Sequence, residues 1–173
     1  MVRVLKGWGY VTNGLINNVD FGGQMRTSGF LKKIVEEQVG EEQDQQKILE
    51  KLYAYVKKTI EWNEYTDVIP DHPFKKVIDE GKGSSSEINL LLVTLLQKAG
   101  LSAYPVAISN RSNGAVRAFV PILSQFNDLV CLVKLGDKPI FLDATDRKLP
   151  MKSLPLRCLN GVGLIISDTP EWV

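Results

Sequence analysis

Residues able to do chemistry are sparse in this chain, and most of them gather in a few short stretches. The first is Gly81–Gly100, GKGSSSEINLLLVTLLQKAG, where a glycine-flanked polar turn carries Ser84, Ser85 and Ser86 into a long apolar run. The first turn of a buried helix offers free amides and the positive end of the helix dipole, a setting that lowers the pKa of a thiol. Serine gains far less there. Its hydroxyl needs an adjacent general base, normally histidine, before it attacks anything. The chain holds one histidine, His72, in PDHPF, which reads as an exposed loop residue ahead of the turn.

The same residues also have purely structural uses. Ser84 and Glu87 form S-x-x-E, the capping-box pattern, in which the serine oxygen accepts from the Glu87 amide while the carboxylate reaches back to the Ser84 amide. A serine cap contributes about 1 kcal/mol, and Gly81 and Gly83 let the chain turn tightly into the helix. Asp143–Asp146 likewise reads as an Asx turn closing a strand. Cys131 lies in the continuous apolar run LVCLV and reads as a buried inert thiol. Cys158 follows Arg157, which could acidify it, with no base in view. The two cysteines and single histidine lack metal-ligand spacing, so neither a metal nor a cofactor is expected. Tyr65, Asp67 and Asp71 lie on a loop that could border a groove but lack the twelve-residue pattern of a calcium loop.

The elements that would position these residues follow from periodicity. Phe30, Leu31, Ile34, Val35 and Val39 mark one helical face from Ser28, with Gly40 as a stop. From about Asp44, Ile48, Leu52, Val56 and Ile60 recur every fourth residue beside Leu49 and Tyr53, as in an amphipathic helix. Residues 63–73 read as loop, and Phe74, Val77 and Ile78 as a short helix closed by Gly81. The helix from about Ser86 to Ala99 is apolar nearly all round, which marks it as the central buried helix. After Gly100 the period changes. SAYPVAIS, DLVCLVKL, PIFLDA and GVGLIIS read as strands, and LGDK at 135–138 as the turn of a hairpin joining 128–135 to 139–144. Residues 1–27, rich in Gly, Asn and Thr, read as an irregular lead-in with one helical turn at most, followed by a single domain over 28–173. Helices first and strands afterwards predict an α+β fold with an antiparallel sheet.

Composition narrows the partners. The chain has 173 residues, 44% apolar and 24% charged, with a net charge of +1. That suits one globular domain and gives no electrostatic reason to expect nucleic acid or an anionic membrane. No apolar run could span a bilayer, and MVRVLKGWGY is too polar for a signal peptide.

The Gly81–Gly100 stretch, followed by SQFNDLV and FLDATD, resembles the transglutaminase-like superfamily of papain-like fold. In its active members a glycine turn ends in Asn-Cys followed by an acid, a histidine comes after Phe-Asn at the start of a strand, and an aspartate follows on the next strand. The resemblance puts Ser84 at the Asn position, Ser85 at the nucleophilic Cys, Glu87 at the acid, Asp128 at the histidine and Asp143 at the third triad member. One of the three triad identities survives. VDFGGQM, IEWNE, GLSAYPVAISNRSNG and LPLRCLNGVG resemble a branch found as a middle domain in larger cell-envelope proteins of Gram-negative bacteria, many of which lack the Cys and His.

The resemblance therefore implies an excised middle domain, periplasmic or in the cell envelope, with neighbouring domains of a longer chain as partners. It also implies a former active-site groove able to hold an extended peptide or glycan, with Ser84, Ser86, Trp62 and Asn127 as candidate contacts. The expectation is a catalytically inactive binding or scaffolding module. The alternative is a hydrolase or acyltransferase using Ser85, with Asp143 and a further base. A cysteine enzyme is the third reading, and an Asp128–Asp143 pair sharing a proton to activate water is a variant of the second.

Overall fold

The computed structural model describes residues 7–136 and 138–173. Its six α-helices are α1 (Trp8–Asn17), α2 (Gln24–Thr27), α3 (Leu31–Val39), α4 (Gln45–Thr59), α5 (Phe74–Glu80) and α6 (Ser85–Lys98), with a π-helical turn, Val19–Gly23, between α1 and α2. Strands β1 (Glu61–Trp62) and β2 (Lys82–Gly83) form a two-residue parallel pair. The main sheet contains β3 (Ser102–Ile108), β4 (Asp128–Leu135), β5 (Lys138–Leu142), β6 (Gly163–Ile165) and β7 (Glu171–Trp172) in the order β5-β4-β3-β6-β7, antiparallel throughout.

The α+β fold expected from the sequence is the one observed. Helix α6 is buried along Ser85–Leu96. It packs on β3 and β4 with one side and on α3 and α4 with the other. Such a helix has no polar face to spare, which is why its sequence is apolar all round. On β4, Leu129, Cys131 and Val133 join the α6-side core, while Val130 and Leu132 join a second cluster with Val106, Ile108 and Ile165 on the opposite face. Burial on both faces explains the unbroken apolar run of that strand. The hairpin pairs Leu135 with Lys138; Asp137 of the expected turn lies outside the described residues.

Two local expectations change. The helix read from Ser28 starts at Leu31, and Phe30, assigned to its buried face, is 45% exposed just before it. Residues 8–27, expected to be irregular, are helical. Their Gly and Asn content carries poor helix propensity, and tertiary burial supplies what propensity lacks: Thr12, Leu15 and Phe21 are enclosed. Trp8 also meets Phe126 and Trp172 edge-on, with ring centroids 5.7 and 5.1 Å apart. The part of this segment before Gly7 lies outside the described residues.

Candidate functional site

The junction entering α6 is held by a complete capping box. Ser84 Oγ accepts from the Glu87 amide at 3.4 Å, and Glu87 Oε2 accepts from the Ser84 amide at 2.8 Å. Gly81, at φ +63°, takes the left-handed conformation that lets the chain leave α5 and turn into this cap. Asp67 reinforces the cap from the loop: its Oδ1 accepts from Ser84 Oγ at 2.9 Å and from the Ser86 amide at 3.2 Å. Burial raises the Asp67 pKa, and the Ser86 and Ser84 hydroxyls pull it back down.

The single histidine is drawn to the same cap. His72 Nδ1 lies 2.8 Å from Glu87 Oε1, and the His72 amide donates to the same oxygen at 2.9 Å. A carboxylate only accepts, so Nδ1 carries the hydrogen. His72 is thus committed to Glu87 rather than to Ser85. A polar cavity of about 370 Å³ opens beside Ser84, among Asp67, Asp71, His72 and Glu87.

Ser85, Asp128 and Asp143 do converge. Ser85 is the first residue of α6, Asp128 the first of β4, and Asp143 follows β5; all three are 0% exposed. The Ser85 hydroxyl accepts from the Asp67 amide at 3.4 Å and acts to hold the Asp128 pKa down. Asn89 lies one turn along α6 from Ser85. Its Nδ2 donates to Asp143 Oδ1 at 3.0 Å and to Leu129 O at 2.8 Å, and its Oδ1 accepts from the Ala144 amide at 3.0 Å. Asp143 Oδ1 also accepts from the Thr145 amide at 2.9 Å, which is the Asx turn anticipated at this strand end.

Arg157 closes the site. Its Nε donates to Asp128 Oδ2 at 3.2 Å and its Nη2 to Asp143 Oδ2 at 2.7 Å and to Thr145 Oγ1 at 2.9 Å. The guanidinium carbon sits 4.4 Å from the centre of the Trp62 ring, a stacked cation–π contact. Trp62 Nε1 in turn donates to Tyr65 O at 2.9 Å. Burial works against the arginine charge, but Asp143, Cys158 and Asp128 more than offset it and raise the Arg157 pKa. Burial also raises the Asp128 pKa, against the lowering effect of the Ser85 hydroxyl and Arg157.

This arrangement bears on each chemical route considered from the sequence. Ser85 faces a carboxylate that is already bonded to arginine, and no imidazole reaches it. Asp128 and Asp143 each give an oxygen to one guanidinium, which supplies a counter-charge to both. Arg157 does lower the Cys158 pKa, but burial, and then Asp143, outweigh it and push the thiol up, and its sulfur lies 3.6 Å from Asp143 Oδ2. Burial alone pushes Cys131 up. No group of three or more His, Cys, Asp or Glu residues suited to a metal occurs among the described residues.

The other candidates are dispersed. Ser86 is enclosed beneath the cap, and Trp62 carries Arg157. Asn127 braces the loop that precedes it, between β3 and β4, by accepting from the Asn110 amide at 2.8 Å. Sequence reasoning passed over Asn89, although a lone amide in an apolar helix was a usable signal. It treated Arg157 as a neighbour of Cys158 rather than as the partner of two aspartates.

A sequence model of the transglutaminase-like superfamily matches residues 32–123, more than half of the chain, and the chain belongs to that superfamily. The matched region carries the cap and α6 and ends before Asp128. Among solved structures, the fold is similar to that of a protein from Parabacteroides distasonis ATCC 8503 provisionally described as a protease, with a TM-score of 0.65 at 12% identity. The alignment covers 96% of this chain and 30% of that one. At that identity the likeness concerns the fold alone. No curated protein matches the sequence. No helix among the described residues is long and apolar enough to cross a membrane.

Proposed function

We propose that this chain is a non-catalytic transglutaminase-like domain, a binding or scaffolding module of a larger cell-envelope protein. The observation that carries the reading is the double ion pair of Arg157 with Asp128 and Asp143 over a fully enclosed Ser85. Ser85 has no imidazole beside it, and the carboxylate it faces is ion-paired with Arg157, which makes a poor base for a hydroxyl proton. Members of a catalytic triad act as a unit, so replacing two of them removes most of the rate. With Arg157 across the triad positions, an extended peptide or glycan has no path to Ser85, and partners bind at other surfaces, neighbouring domains of the longer protein among them.

The test is incubation of the purified chain with a fluorophosphonate and with an activated ester. The expected result is neither labelling nor turnover. Labelling of Ser85, lost in Ser85→Ala, would instead establish the serine hydrolase or acyltransferase reading.

A further inference from the structure

The stretch VDFGGQM takes no part in the site around Ser85. It forms the π-helical turn and the start of α2, and these line a separate cavity of about 280 Å³ against Tyr104 and Pro105 of β3 and the segment after β6. A π-turn is costly for a helix and recurs at functional sites. Here it is held in place at both ends. Asn18 Oδ1 accepts from the Asp20 and Phe21 amides. Gly22 presses so closely on α1 that an added Cβ would fall 2.7 Å from the Ile16 carbonyl carbon.

The cavity floor is apolar, built from Ile16, Phe21, Met25 and Ile166, and its lining also includes two opposite charges, Arg26 and Asp168. These do not pair with each other. One guanidinium nitrogen, Nη1, donates to Ile16 O at 2.8 Å; among the described residues the other Arg26 donors and the Asp168 carboxylate have no partner. Small-molecule sites are typically apolar hollows with a few placed polar groups, and this one lies at the small end of their size range.

We propose that this cavity binds a zwitterionic α-amino acid with an apolar side chain. Its carboxylate would face Arg26, its ammonium Asp168, and its side chain the floor formed by Phe21 and Met25. Bidentate recognition of a carboxylate is what a fixed guanidinium does best. The site is separate from the Ser85 region, so the proposal stands whichever way the ester assay falls.

Calorimetric titration of the intact chain with L-leucine tests it. Saturable one-to-one binding is expected. Leucinamide, which lacks the carboxylate, and 4-methylpentanoate, which lacks the ammonium, should each bind at least about tenfold more weakly. Asp168→Asn alters an exposed, unpartnered side chain and leaves the fold intact; it should erase the preference for leucine over 4-methylpentanoate. No binding of leucine up to about 10 mM, equal affinity for all three compounds, or an Asp168→Asn variant that keeps the preference would each overturn the proposal.

Discussion

Arg157 Nη2 donates to Asp143 Oδ2 at 2.7 Å while its Nε donates to Asp128 Oδ2 at 3.2 Å. The pair with Asp143 is enclosed: the aspartate side chain is 0% exposed and the arginine 21%. Its consequences can be checked one at a time.

Removing the cation should be costly. Arg157→Met leaves two enclosed carboxylates without their shared partner, and breaking a buried pair from one side costs about 3–5 kcal/mol. Urea unfolding followed by circular dichroism measures the loss. Adding Asp128→Asn to Arg157→Met should recover part of it, because a neutral amide needs no counter-charge. A loss below about 1 kcal/mol would mean that the ion pairs behave as exposed ones.

Alkaline stability should depend on one tyrosine. The Tyr53 hydroxyl donates to Asp143 O at 3.0 Å, and burial first, then the charges of Asp143 and Asp146, push its pKa up to about 12. The raised value means that the folded protein holds this proton more tightly than the unfolded chain. The contribution is therefore intact below about pH 10 and lost as pH rises through about 12, a fall of about 2–3 kcal/mol. Tyr53→Phe should be less stable at neutral pH by about 1 kcal/mol, and its stability should fall less steeply over that alkaline window. Denaturant midpoints across the range distinguish the two proteins.

Neither thiol should react in the native state. Cys131 is 0% exposed and Cys158 is 7% exposed, and burial pushes both thiols up. The thiolate is the reactive species, so a chromogenic disulfide reagent at pH 8 should give no rapid phase with folded protein and two equivalents on unfolding. One rapid equivalent in the folded state would expose an activated Cys158.

A thiol and an imidazole placed at positions 85 and 128 should become reactive only when the arginine is removed. Ser85→Cys with Asp128→His leaves Arg157 bonded to Asp143 and facing the new imidazole, so alkylation by iodoacetamide should stay near the background rate. Adding Arg157→Ala frees Asp143 to orient that imidazole, and alkylation of residue 85 should then rise at least about tenfold. Equal rates in the double and triple variants would show that Arg157 is not what blocks the thiol.

Much of this molecule was legible in the chain because the signals were local. The capping box spans four residues, the apolar circumference of α6 announces a helix with no face to solvent, and the unbroken apolar run of β4 announces a strand buried on both faces. Those patterns depend on hydrogen bonds and burial that neighbours in sequence can arrange among themselves. The convergence of Ser85, Asp128 and Asp143 was expected only from the resemblance to the transglutaminase-like superfamily, not from any local pattern.

What the tertiary structure alone decided is the state of the site. Arg157 comes from 29 residues beyond Asp128 and 14 beyond Asp143, and nothing in its immediate sequence says that its guanidinium reaches both and stacks on Trp62. The same holds for the helices before Leu31, whose Gly and Asn content argues against them until Leu15 and Phe21 find a core to enter. Propensity and periodicity act over a turn or two of chain, whereas charge compensation and burial act through space, between groups that only the folded chain brings together.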